Sequence, residues 1–297
     1  MMASLRATIC LAVLLAWAAH LNAFIISECS GKCTQLRPRM QIFSTFESST
    51  TGESEASPSQ PSLPNLAERR PLKTALLALA ARTARGELAT EAERLQGLDL
   101  VTRLEAYNPI PFPATDALVC GAWELVWSST YLFKSSPFFL AARAVCTTSQ
   151  QAEQFNLFCR LHREALAFTQ IGKVTQRITP GLIVSEFATT GAMVPGLPVA
   201  VKGTIQSTAE IVERSEFTWT LLMDRVRIKE NTSNVPVLRG FLNGFAGLDS
   251  RALSSALEAA VGLQAPRPVV YHSYVDTHMR VMRDQDDAVF VFNRIDG

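Results

Sequence analysis

Apolar and polar residues alternate through the middle of the chain as they do in a strand with one buried face. Val199, Val201, Ile205, Ala209 and Ile211 share one parity, and Lys202, Thr204, Gln206, Thr208 and Glu210 share the other. Phe217, Trp219, Leu221 and Met223 continue the alternation, after which Val226 and Ile228 switch parity. A bulge near Asp224 is predicted to re-aim the strand and help a sheet close on itself. Leu182–Ala188 and Val119–Ser128 also read as strands, and the second of these holds two of the four tryptophans. The C-terminal stretch reads as a hairpin: Val269–Met282, a turn at Asp284–Asp287, then Val289–Phe292.

A 3.6-residue period marks the flanks. Leu72, Leu76 and Leu79 form one stripe, ended by Arg85-Gly86. Thr90 and Glu93 have the spacing of a capping box ahead of Leu95, Leu98, Val101 and Leu104, and Asn108-Pro109 stops that helix. These two helices are expected to serve as a lid or platform. A late helix is predicted over Leu253, Ala256, Leu257, Ala260 and Val261, with Asp249 as cap and Gly262 as stop. Residues 138–168 fit either a helix, through Phe155, Phe158, Cys159 and His162, or a strand. Successive long strands with one apolar face predict a mainly β fold, an antiparallel barrel preceded by a helical pair. A barrel of about eight strands either fills its interior or holds one small ligand.

The first 65 residues belong to neither pattern. Arg6, an apolar run from Ala7 to Ala19 and the small residue Ala23 have the layout of a secretory signal over residues 1–23. Residues 24–65 contain 13 Ser or Thr, with Pro58, Pro61 and Pro64, and lack apolar periodicity, so they are expected to be disordered. The domain is expected to span residues 66–297. No later stretch approaches the roughly 20 apolar residues of a spanning helix. The formal net charge of +1 argues against a protein built to grip nucleic acid phosphates. Cys120, Cys146 and Cys159 in the body fit no metal or disulfide framework and read as reduced core thiols.

Three groups of residues, in order, carry a family resemblance. The first runs from Lys73 to Thr130 and includes Thr83-Ala84-Arg85-Gly86, Leu104-Glu105-Ala106-Tyr107-Asn108-Pro109 and Gly121-Ala122-Trp123-Glu124-Leu125-Val126-Trp127-Ser128. The second is Gly172–Ile178. The third is Tyr274 and Asp276, then Arg280 and Arg283, then the apolar Val289–Phe292. From about residue 70 onward the chain resembles the plastid lipid-associated proteins, or fibrillins. The resemblance implies a lipocalin-like barrel and a non-catalytic role in lipid or isoprenoid binding, at plastoglobules or thylakoids, with structural and stress-protective effects. No catalytic residue and no cofactor carries over. The implied partners are a lipid, quinone or carotenoid and a peripheral membrane or lipid-droplet surface. The N-terminal segments resemble the bipartite signal-plus-transit leader of complex plastids, with Phe24 after the cleavage point.

Candidate residues follow. Gly121-x-Trp123 resembles the lipocalin signature in which an indole closes one barrel end beneath a late arginine; Arg280 or Arg283 is the expected partner, in a pair expected to be structural and not a ligand site. Trp127, Phe187, Trp219, Tyr274 and Asp276 are the candidate ligand-binding residues of the barrel interior. His272, Tyr274, Asp276, His278 and Arg280 share a parity, while the opposite one, with Val275, Met279 and Val281, is more apolar, so the pattern leaves open which face lines the barrel. At about 3.3 Å per residue, His272 and Asp276 stand about 13 Å apart, too far to converge on one metal ion. There is no Gly-x-Ser-x-Gly elbow and no phosphate-binding loop. Phe241–Phe245 and Pro137–Leu140 could dip into a lipid surface or pack as buried loops, and Asn231-Thr232-Ser233 is a glycosylation sequon. Two alternatives stand beside ligand binding: an enzyme on the same barrel acting on an isoprenoid or carotenoid, and a lipid-droplet coat or scaffold without an internal ligand.

Overall fold

The computed structural model describes residues 64–165, 169–192, 200–229, 248–249 and 265–295. Helices α1 (Pro64–Arg82) and α2 (Glu91–Glu105) come first, followed by β1 (Gly121–Ser128). Two further helices, α3 (Pro137–Ala144) and α4 (Ser149–Ala165), precede a run of strands: β2 (Thr169–Thr179), β3 (Leu182–Ala192), β4 (Ala200–Arg214), β5 (Thr218–Lys229), the two-residue β6 (Leu248–Asp249), β7 (Val269–Val275), β8 (Met279–Arg283) and β9 (Val289–Arg294). The hydrogen-bonded order is β4-β3-β2-β1-β9-β8-β7-β5-β6, and β4 also pairs with β5. That extra pairing closes eight antiparallel strands into a ring, with β6 attached outside the circuit along β5. The mainly β barrel with an N-terminal helical pair is therefore the observed fold. The expected leader segments, the late helix, Phe241–Phe245 and the Asn231 sequon lie outside the described residues, as does the side chain of His162.

Bulges decide which side chains look inward. Ala209 pairs with Met223 but Thr208 pairs with Arg225, so Asp224 is the extra residue, where the change of parity predicted it. Of the bulges that the sequence pattern did not mark, two set the facing of candidate residues. Leu125 pairs with Phe292 and Trp127 with Val291, which turns Trp127 to the outside after an inward Leu125. His272 pairs with Met282 and Tyr274 with Val281, so His272 faces in and Tyr274 faces out. The long strand expected over Val269–Met282 is two strands. Asp276 breaks it, because its carboxylate accepts the amides of His278 and Met279 at 2.9 and 2.8 Å and bends the chain into a turn.

The closed sheet has an apolar core on each side of its wall. Inside, Trp123, Leu125, Val174, Ile178, Ile183, Phe187, Ala209, Trp219, Leu221, Phe290 and Phe292 pack together with Phe133, Phe139, Phe155 and Phe158. The last four come from the 131–165 segment, which resolves as two helices and a short turn and not as a strand. Outside, Trp127, Tyr274, Met279, Val281, Val289 and Val291 meet Leu72, Leu76, Leu79, Leu100, Val101 and Leu104 of the helical pair. Each such buried side chain contributes about 1.5–3 kcal/mol, so α1 and α2 are held as a platform on the wall. The predicted capping box is present, with the Thr90 side chain and Glu93 exchanging hydrogen bonds with each other's backbone amides. Close approach requires two glycines. A Cβ on Gly97 would come 2.2 Å from Cζ2 of Trp127, and one on Gly86, whose φ is +94°, would come 2.1 Å from the Ser128 carbonyl oxygen.

Candidate functional site

The β7–β8 hairpin carries one buried polar cluster on each face. The inner cluster is built around Arg280, which is fully buried. Its guanidinium lies 4.2 Å from the Phe292 ring centre and 5.4 Å from that of Trp123. Nη2 donates to Oε1 of Gln176 at 2.5 Å. Since β8 and β2 are separated by β9 and β1 in the ring, this bond spans the barrel interior. Gln176 in turn donates to the Ser135 carbonyl at 3.0 Å, tying the wall to the turn before α3.

Trp123 closes the end at which β1 begins. Its indole nitrogen donates to the Val119 carbonyl at 2.9 Å, and Gly121, at φ +133°, starts the strand in a backbone conformation unusual for any other residue. Arg294 covers the ring more closely than Arg280 does, at 4.3 Å, and donates to the Cys120 and Leu118 carbonyls. Burial, and then the neighbouring Arg294 charge, bring the Arg280 pKa down to about 9. Arg283, the other expected partner of the indole, is on the outer face, paired with Glu105 and Asp287 at 2.8 Å each.

A polar row continues inside from Gln176. Gln176 sits opposite Ser185, and Ser185 opposite Ser207, on three adjacent strands. Both serines are buried, and among the described residues neither hydroxyl has a hydrogen-bond partner. His272, fully buried, has its ring centre 4.0 Å from that of Trp219, tilted by 53°, and among the described residues neither ring nitrogen has a hydrogen-bond partner. Burial, and then the Arg280 and Arg214 charges, hold its pKa well below the usual imidazole range, so it is neutral. Among the described residues Arg280 itself has no hydrogen-bond partner for Nε and Nη1, which carry three of its five N–H groups. Among the described residues no carboxylate pairs with it.

The outer cluster differs in kind. The Asp276 carboxylate receives Lys73 of α1, the Tyr274 hydroxyl at 2.5 Å and the two turn amides, with Arg69 of α1 at 3.6 Å. Burial works to raise its pKa, but the hydrogen bonds from Lys73, Tyr274 and His278 and the Lys73 charge outweigh this and hold it below the ordinary carboxylate value. Tyr274 is pushed well above the ordinary phenol range by burial and by Asp276.

The expected lining residues thus divide. Phe187 and Trp219 lie in the inner core. Trp127, Tyr274 and Asp276 do not line the interior: the bulges at Val126 and Ser273 and the turn at Asp276 put them on the outer face beneath α1 and α2. His272 and Asp276 stand on opposite faces, and no group of three metal-ligating side chains forms among the described residues. Sequence reasoning missed Arg294, Gln176, Ser185 and Ser207. A signal for three of them existed, because each is a polar residue at the inward parity of its strand: Gln176 between Val174 and Ile178, Ser185 between Ile183 and Phe187, Ser207 between Ile205 and Ala209. Pro137–Leu140 forms the first turn of α3 and is largely buried, with Phe139 and Leu140 in the inner core.

Comparison with family models gives a match to PAP_fibrillin over residues 70–293, more than half of the chain. Comparisons with curated proteins and with solved structures gave no match. The chain belongs to the PAP/fibrillin family of plastid lipid-associated proteins, whose members are generally structural and non-catalytic.

Proposed function

We propose that this member of the plastid lipid-associated family is a non-catalytic carrier that encloses a single lipid or isoprenoid in its barrel and works at plastoglobule or thylakoid surfaces. The observation that carries this reading is the closure of eight strands around an inward face that is mostly apolar, from Trp123 and Leu125 through Phe187 to Trp219, Leu221 and Phe292, with one buried polar row beside them. Such a closed wall excludes water from a greasy guest and leaves no strand edge within the ring for self-association. A quinone or a carotenoid end group suits the interior as a fatty chain does. Residues 1–23 act as a signal and 24–65 as a transit tract, delivering the 66–297 domain to the plastid.

The test is recovery of the protein from plastids, followed by organic extraction and mass spectrometry. About one lipid-class molecule per chain is expected. Absence of both bound lipid and co-sedimentation with thylakoids or plastoglobules would overturn the reading.

A further inference from the structure

We infer that the barrel selects a single-chain carboxylic acid, whose carboxylate is held by Arg280. This rests on the carrier reading and narrows its ligand class. The guanidinium is fully buried, and cation–π contact with Phe292 and Trp123 meets part of its need. The hydrogen bond to Gln176 satisfies one donor, while Nε and Nη1 find no partner among the described residues. A buried cation with unpaired donors is costly unless an anion completes it. No described carboxylate does so, and the charge of Arg294 acts on it with the same sign.

The surroundings say which anion. Ser185 and Ser207 stand in register beside Gln176 with unpaired hydroxyls, on strands about 4.8 Å apart, so further neutral donors line the wall next to the guanidinium. His272 adds one more neutral donor farther along, over Trp219. A planar carboxylate matches the fork of an arginine through two parallel bonds, here from Nε or Nη1 together with the second N–H of Nη2. The rest of the inner face is aliphatic and aromatic, which suits one acyl chain, and the most that an eight-stranded barrel encloses is one small ligand, which excludes a two-chain phospholipid.

The experiment measures displacement of cis-parinaric acid from the purified full-length protein by palmitic acid and by hexadecanol, which share a chain and differ in the head group. Palmitic acid is expected to bind at least about tenfold more tightly, as a charge-assisted bidentate pair implies. In Arg280→Met the two competitors reach equal affinity, while hexadecanol binding is kept. Arg280→Lys keeps the charge without the fork and retains a reduced preference; it serves with the unaltered protein if Arg280→Met does not fold. Equal affinity of acid and alcohol in the unaltered protein, or a preference undiminished in Arg280→Met, overturns this inference and leaves the carrier reading standing. Binding of neither competitor, and of no parinaric acid, overturns both.

Discussion

Asp276 and Arg280 are four residues apart on one hairpin, both buried, and they face opposite sides of the same wall. The outward carboxylate is bracketed by a lysine and an arginine of α1, a phenol and two backbone amides. The inward guanidinium has one hydrogen bond and two aromatic faces. A buried ion with a full set of partners belongs to the framework, because removing any partner strands the others. One with donors to spare lies in a region whose polar groups have yet to be matched. The contrast separates a clasp that holds the helical platform to the barrel from a wall equipped for a guest.

The sharpest way to break that contrast is to remove the clasp. Asp276→Ala leaves Lys73, the Tyr274 hydroxyl and the two turn amides without their acceptor. Loss of one partner of a buried pair costs about 3–5 kcal/mol. Lys73 retains some exposure and can turn to water, so a value near about 3 kcal/mol is expected from urea denaturation. A loss below about 1 kcal/mol would mean that the cluster is no more than a surface pair.

The inner wall makes its own prediction with pH. His272 stays neutral in the folded protein well below pH 6.5, whereas the unfolded chain protonates it there. The unfolded state then binds more protons, so stability falls as pH drops below about 6.5, by up to about 1.4 kcal/mol per unit. Between pH 6.5 and 5 that is about 1.6 kcal/mol, since the unfolded imidazole is only half protonated at the start, and His272→Gln should flatten the slope. Asp276 acts in a lower window: its pKa is depressed, so its contribution persists down to the ordinary carboxylate range and is lost as pH falls through its lowered value. Equal slopes in the two proteins from pH 6.5 to 5 would show that His272 is not held neutral.

Much of this was legible before the coordinates. The capping box at Thr90 and the bulge at Asp224 are local events, written in residues a few positions apart. The inward placement of Phe187 and Trp219 follows from simple alternation. What stayed hidden is non-local or breaks alternation without a glycine or proline to mark it. The bulges at Val126 and Ser273 are of this sort, and each inverted an expected lining residue, Trp127 and Tyr274. Lys73 reaches Asp276 across 203 positions of sequence, and no spacing rule connects them. The outer fit can be probed at its tightest point. Gly97→Ala gains about 1 kcal/mol of helix propensity, but its Cβ would collide with the Trp127 indole, and overpacking costs about 1–3 kcal/mol. A net loss of about 1 kcal/mol is expected, and a net gain would show that the platform can shift away from the barrel without cost.

The smallest stability effect is expected at Arg280, and its smallness is the informative part. Arg280→Met replaces a buried charge by an unbranched apolar side chain that still reaches Trp123 and Phe292. The hydrogen bond to Gln176 is lost, which costs about 1 kcal/mol and leaves one amide oxygen unpaired. Against that stands the removal of a desolvated cation whose partners are incomplete, a replacement that is neutral or stabilising in other buried ion sites. The two effects nearly cancel, so a change within about 1 kcal/mol is expected by urea denaturation of the ligand-free protein. A loss as large as that of Asp276→Ala would place Arg280 in the framework beside the outer clasp and erase the difference between the two faces. A near-neutral result alongside a lost preference for palmitic acid would mean that this arginine is kept for what the barrel holds and not for the barrel itself.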